Sequence, residues 1–168
     1  ISAPGEQVGS YEDSFSDYRL GFEYDFTSDN LFYGAISTGH KSGGFNDTIT
    51  INGVQTAPPF APEAVTLYEL GTKNTFRLDT GRIDVNANVF YYDYSDQVFQ
   101  TLVSLGVGPG GSSAGFSQQN INVAQSTIKG FELETRFDLP WDMRLDLIGA
   151  YIDAKADSGA LTETRGTD

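Results

Sequence analysis

From Tyr18 to Phe26 the chain alternates without a slip: Tyr18, Leu20, Phe22, Tyr24 and Phe26 fall on one phase, and Arg19, Glu23 and Asp25 on the other. Successive strand side chains point to opposite faces, so this segment predicts a strand with one apolar and one polar face. The same period returns downstream. Tyr68, Leu70, Thr72 and Phe76 oppose Glu69 and Lys73; Ile83, Val85, Ala87, Val89 and Tyr91 oppose Asp84, Asn86 and Asn88. Further on, Phe131, Leu133, Thr135 and Phe137 oppose Glu132, Glu134 and Arg136, and Leu145, Leu147 and Tyr151 oppose Arg144 and Asp146. One segment, about Leu31 to Ser37, is ambiguous, because Phe32 and Tyr33 lie on opposite faces. Strands are expected near residues 15–26, 31–38, 63–77, 82–98, 122–138 and 143–155, each antiparallel to its neighbour in sequence.

The connections carry a second pattern. Short turns at Thr27-Ser28-Asp29-Asn30, Leu78-Asp79-Thr80-Gly81 and Pro140-Trp141-Asp142 alternate with long loops from Thr38 to Pro62 and from about Val103 to Asn120. Every short turn therefore falls on one edge of the sheet and every long loop on the other. Transmembrane β-barrels have this asymmetry, with apolar residues facing lipid, polar residues facing the lumen and aromatic girdles at both interfaces. Phe26, Phe76, Phe137 and Trp141 sit near the short turns, and Tyr91 and Tyr151 toward the long loops. A soluble antiparallel sheet with one buried face fits the alternation of any single strand equally well.

Composition narrows the classes. Net charge is −13, with 10 Lys and Arg among 23 carboxylates and no basic cluster, which argues against a nucleic-acid partner. Cysteine is absent, removing disulfide scaffolds, Cys-ligated zinc and thiol chemistry together. No apolar run approaches the roughly 20 residues of a membrane helix, a limit that says nothing of barrel strands. The 12 Phe, 9 Tyr and 19 Gly suit strands and turns.

Several segments, in order, resemble the barrel of TonB-dependent outer-membrane receptors. They are Ile36-Ser37-Thr38-Gly39-His40-Lys41-Ser42-Gly43-Gly44-Phe45-Asn46, then Phe60-Ala61-Pro62-Glu63, and Tyr68-Glu69-Leu70-Gly71-Thr72-Lys73-Asn74. Gly81-Arg82, the run from Asn86 to Gln97, and Lys129-Gly130-Phe131-Glu132-Leu133-Glu134 continue the series, so the resemblance covers roughly residues 15–155. The wording Lys41-Ser42-Gly43-Gly44-Phe45-Asn46 is similar to receptors assigned to ferric siderophores.

This resemblance implies an all-β, up-and-down transmembrane β-barrel segment in the bacterial outer membrane, about six strands of a barrel of about 22. Residues 1–168 would be a partial barrel domain, with the plug domain, the energy-coupling TonB box and the other strands outside it, and with loops at Ile1 to Ser14 and Asp157 to Asp168. An open sheet with two unpaired edges is not viable alone in lipid. The implied partners are a ferric siderophore or similar nutrient, the inner-membrane TonB complex acting through the plug, and outer-membrane lipid. No enzymatic activity, cofactor or metal site is expected. Other ligands, such as vitamin B12 or an oligosaccharide, stay open. So do a passive porin-like barrel, a barrel enzyme and a soluble carbohydrate-binding module.

Ligand contacts are expected at the long-loop mouth: His40, Lys41, Phe45 and Asn46 in one loop, Phe116 and Gln118 in the other. The remaining motifs carry little. The run Gly34 to Ser42 is one inserted residue away from a phosphate-binding loop, and Gly106 to Gly111 has dinucleotide-fingerprint spacing, but neither is followed by a predicted helix. Asn46-Asp47-Thr48 matches a glycosylation sequon by chance. His40, the only histidine, leaves no His cluster or triad to assemble. Glu69, Glu132 and Glu134 share strands with Lys73, Lys129 and Arg136, which suggests hydrated, compensated lumen charge rather than acid–base catalysis. Lys129 itself falls on the apolar phase beside Phe131, so Gly130 is read as a bulge that resets the register.

Overall fold

The computed structural model describes residues 10–51, 54–107 and 115–156. The two terminal loops expected at Ile1 to Ser14 and Asp157 to Asp168 lie largely or wholly outside them. The main strands are β1 (Arg19–Thr27), β2 (Asn30–Lys41), β7 (Glu63–Leu78), β8 (Gly81–Ser104), β9 (Phe116–Leu139) and β10 (Met143–Ala156). They form one six-stranded antiparallel sheet in the order β1-β2-β7-β8-β9-β10, each beside its neighbour in the chain apart from an excursion between β2 and β7. That excursion holds two small ribbons, β3 (Gly44–Phe45) with β6 (Pro59–Phe60), and β4 (Ile49–Ile51) with β5 (Val54–Thr56).

Register assigns every side chain to a face. Phe22 pairs Gly34, Gly34 pairs Leu70, Leu70 pairs Val89, Val89 pairs Phe131 and Phe131 pairs Tyr151, so these six form one row across the sheet. The adjacent row on the opposite face runs Glu23, Tyr33, Gly71, Asn88, Glu132, Ala150. Leu20, Val85, Leu133 and Leu147 share the apolar face, whereas Glu69, Asn86, Glu134 and Asp146 share the polar one. The ambiguous second strand resolves cleanly: Phe32 joins the apolar face and Tyr33 the polar.

On β8 the apolar run extends from Ile83 to Tyr91, about the 9–11 residues a tilted strand needs to cross a bilayer. Above it the same face turns polar, with Asp93 on β8 paired to Thr127 on β9. The apolar face meets no second layer. Among the described residues only Ala35 and Ile49 are buried hydrophobics, while Leu20, Phe22, Leu147 and Trp141 are 70%, 54%, 53% and 87% exposed. A sheet with this much exposed apolar surface and almost no core suits lipid rather than water.

Three expectations are corrected. First, the second long loop is shorter than the sequence suggested: β8 and β9 stay paired out to Ser104 and Phe116, so the ladder projects well past the membrane band. The part of that loop at 108–114, with most of the dinucleotide-like spacing, lies outside the described residues. Second, no bulge occurs at Gly130. The β9 ladder runs through it in unbroken register, and Gly130 instead leaves room for the Phe90 ring and the Tyr151 carbonyl, which a Cβ would strike. Third, Lys129 keeps the apolar phase its position dictates and does not compensate the inward carboxylates; its Nζ lies 3.8 Å from Asp153 Oδ2. The register shift that does occur lies in β1, between Asp25 and Thr27. β1 also starts at Arg19 rather than at 15, although Tyr18 already bonds Thr38 through both backbone groups.

At the last turn Trp141 and Asp142 adopt left-handed backbone (φ 62° and 55°), which closes the hairpin in three residues and leaves the indole at the sheet's rim. Aromatic side chains at such a level anchor barrels at the headgroup region.

Placing Arg at Val85 is expected to cost the intact protein in bilayers roughly 2–4 kcal/mol, and Arg at Asn86 far less. A folding titration of both variants checks this; equal tolerance would reverse or abolish the facial assignment.

Candidate functional site

The polar face divides into two levels. Toward the short turns it is a charged belt, built because most inward positions there carry a charge or an amide. Arg82 Nε donates to Asp84 Oδ1 at 2.8 Å, Thr75 Oγ1 donates to the same carboxylate at 2.6 Å, and Arg136 Nε donates to Asp146 Oδ1 at 2.7 Å. Arg144 closes on Asp138 at 2.9 Å. At the first turn Arg77 grips Asp29 with two nitrogens, at 2.8 and 3.2 Å, and this contact lowers the Asp29 carboxyl below its ordinary value. A concavity of about 580 Å³ opens among Asp29, Lys73, Arg77, Arg82, Glu134 and Arg136. Opposite charges at this spacing compensate one another in hydrated surroundings, so the belt offers ion pairs rather than an acid–base pair.

Higher on the same face, β8 presents Phe90, Tyr92 and Tyr94 in a ladder. Phe90 meets Tyr92 edge-on at 5.7 Å, and Tyr92 stacks on Tyr94 at 6.2 Å with 14° between planes. Leu67, Ile128 and Ile152 flank it around a recess of about 430 Å³. Between the levels Tyr33 lies across Gly71, where a Cβ would collide with its ring, and its hydroxyl donates to Glu69 Oε1 at 3.1 Å. The glycine is there because an aromatic ring must pass over the backbone.

The mouth gathers the residues expected from the loops into two groups. His40 and Lys41 are the last residues of β2 rather than loop residues. His40 Nδ1 lies 2.7 Å from Asp17 Oδ1, and the ring stacks on Phe15 at 4.7 Å. The histidine contact is the chief cause that lowers the Asp17 carboxyl. Lys41 Nζ is 3.9 Å from Glu63 Oε1, and both line a recess of about 190 Å³ with Tyr94.

The second group is the clamp of the β2–β7 excursion against β9. Asn46 is buried; its side-chain amide donates to Asn120 O at 2.8 Å and Pro58 O at 3.1 Å, and its Oδ1 accepts from Asn120 N at 2.6 Å. Side chain and backbone thus pair as a strand would. Phe45 sits beside it, edge-on to Tyr11 at 6.4 Å. Phe116 and Gln118 belong to β9, not to a loop; Phe116 is exposed and Gln118 Nε2 donates to Gln100 Oε1 at 2.8 Å.

Sequence reasoning missed the other half of this clamp. Asn122 accepts from Ala61 N at 2.7 Å and donates to Ala61 O at 2.9 Å and Asp96 O at 2.7 Å. Asp96 itself is left-handed (φ 54°), and beside it Val98 N donates to Glu63 Oε2 at 2.7 Å. Gln97 and Ser126 bond each other across the same break. The signal was the pair Asn120 and Asn122 at strand period, two amides on one phase.

An exposed apolar band, a polar inner face and short turns at one end define the wall of a transmembrane β-barrel. The chain belongs to the TonB-dependent receptor family: the model of the TonB dependent receptor-like β-barrel matches residues 2–168. It is a family of outer-membrane receptors and transporters. Comparison with curated proteins returns no match.

Replacing Asn46 by Ala should leave the barrel assembled and loosen the clamp by about 1–3 kcal/mol, since the Asn120 amide loses its acceptor. Chymotrypsin cleavage next to Phe45 or Phe60 is then expected to accelerate in outer membranes. Unchanged protection would mean that Asn46 does not hold the excursion.

Proposed function

We propose that the chain forms wall and mouth of an active transporter that takes up a scarce nutrient chelate, foremost a ferric siderophore. The observation that carries this reading is the vertical order of the inner face, a clamped mouth above an aromatic ladder above a charged belt. The ladder offers π faces and phenol hydroxyls, which suit a bulky chelate with an aromatic or carbonyl rim. The mouth adds Lys41, Phe45, Asn46, Phe116 and Gln118, the last two through the β8–β9 projection, with His40 at the same level on the outward phase. Asn46 contributes by shaping the mouth, because its amide is engaged in the clamp.

The unpaired outer sides of β1 and β10 in this sheet support a larger closed barrel, since open edges are costly in lipid. A plug domain inside that barrel, drawn upon by the inner-membrane TonB complex, would convert capture into passage. The charged belt lies at the level where a polar plug would rest.

Deleting Gly43 to Pro59 from the intact receptor should abolish high-affinity binding of its iron chelate while the barrel assembles, because shortening a surface excursion between paired strands costs little chain entropy. Binding is measured on outer membranes from iron-starved cells, with heat-modifiable gel mobility reporting the fold. An assembled deletion variant that binds as tightly as the parent would remove this excursion from the site.

A further inference from the structure

The outward face carries one irregularity. Of the described lysines and arginines, the inward row positions hold Arg19, Lys41, Lys73, Arg77, Arg82, Arg136 and Arg144. Lys129 and Lys155 alone share the outward phase, on neighbouring strands, with Lys129 paired to Asp153 and Lys155 to Thr127. Their ammonium groups flank the same carboxylate: Asp153 Oδ2 lies 3.8 Å from Lys129 Nζ and 3.5 Å from Lys155 Nζ. Two cations share one anion, so the cluster keeps a net positive charge. Both side chains stay largely exposed, at 56% and 69%. The cluster sits at the upper rim of the apolar band, one row above Phe131 and Tyr151, which stack at 6.0 Å.

Beside it the apolar face is hollow. In the row of Phe22, Leu70 and Val89 the Phe22 ring and Leu70 close over Gly34, and a groove of about 580 Å³ lies against this floor, bordered above by Ile36, Tyr68 and Tyr91. Tyr91 is the register partner of Lys129, so the groove reaches the cationic cluster through one strand spacing. On the outward face the other side chains at this height are Asp93, Thr38, Thr66 and Thr127. Asp93 is the one further charge.

We propose that this face seats one phosphate-bearing lipid of the outer leaflet, with its headgroup phosphate on Lys129 and Lys155 and an acyl chain in the groove below Tyr68 and Tyr91. Charge complementarity favours this occupant: the cations stand at headgroup level, where a phosphate supplies the anion that Asp153 only half provides, and the groove continues down into the hydrocarbon. A neutral lipid would fill the groove but leave the cluster unsatisfied. A protein partner would have no reason to match a charged rim to an acyl-wide channel. The inference rests on the outward face meeting lipid and is independent of the transported ligand.

The test uses the full-length receptor in detergent micelles doped with phosphatidic acid or with diacylglycerol of the same chains, which differ only in the phosphate. Lipid retained per receptor is read by native mass spectrometry. The parent should retain phosphatidic acid about tenfold over diacylglycerol; K129Q/K155Q should lose that preference, and K129R/K155R should keep it. Filling the groove with Val89→Trp should lower retention of both lipids, and the inward Lys73→Gln should change neither. Should K129Q/K155Q fail to assemble, Lys155→Gln alone, at the strand's end, reads the same loss. Equal retention of the two lipids by the parent, an undiminished preference in the glutamine variants, or displacement of phosphatidic acid by millimolar inorganic phosphate would overturn the proposal. Siderophore binding measured on the same samples reports separately, so failure of either reading leaves the other standing.

Discussion

Inside a bilayer a peptide N–H or C=O has no water to turn to, and the rest of this structure depends on that constraint. Each of the six long strands must find its hydrogen bonds in a neighbour, so pairing runs without a gap across the membrane band from β1 to β10. With the backbone committed, the side chains have only two directions, out and in, and the period of two becomes a chemical sorting rule. Val85 and Val89 go to lipid while Asn86 and Asn88 go inward, because no other arrangement satisfies both solvents. Departures from the ladder lie outside the membrane band. The shift in β1 adjoins the first turn, and left-handed Asp96 stands above the apolar run, where Asn122 and Glu63 supply the missing partners.

The same constraint gives the inner face its vertical order. Close to the short turns, charges can face inward because they compensate one another, as Arg136 does with Asp146 and Arg82 with Asp84. Higher up, aromatic and aliphatic groups replace them, and the sheet runs on past the membrane as the β8–β9 projection. That projection is the surface against which the β2–β7 excursion is pinned through Asn46 and Asn122. A mouth fastened at two amide pairs is ordered enough to present its side chains at fixed spacing, which a ligand-capturing surface needs.

Much of this was legible in the chain. Strict alternation placed five of the six main strands and their faces, the second strand took its phase only from its pairing, and the rhythm of short turns and long connections told one end from the other. What escaped had physical causes. The loop expected from Val103 to Asn120 is shorter because a two-stranded ladder above the membrane needs no apolar face, and Phe116 to Asn120 pair as strand. Lys129 falls on the apolar phase in the sequence, and a bulge at Gly130 was expected to reset the register beside it. At the rim of the band a long side chain reaches the polar layer and an ion pair, so no bulge was needed. Among the candidate site residues, position at the mouth was foreseeable from their place beside the long connections, although His40, Lys41, Phe116 and Gln118 lie within strands. The pairing of Asn46 with a backbone 74 residues away was not, because nothing local encodes a contact of that separation.

The central claim is that alternate residues of each strand meet lipid and water. The chain has no cysteine, so single cysteines can be introduced one at a time at positions 131–137 of the full-length receptor in outer membranes. Labelling with a membrane-impermeant, water-soluble maleimide, against a lipid-soluble one, reads the environment of each. The account predicts that cysteines at Phe131, Leu133, Thr135 and Phe137 react preferentially with the lipid-soluble reagent, and those at Glu132, Glu134 and Arg136 with the water-soluble one. A profile without period two, or one in the opposite phase, would contradict it.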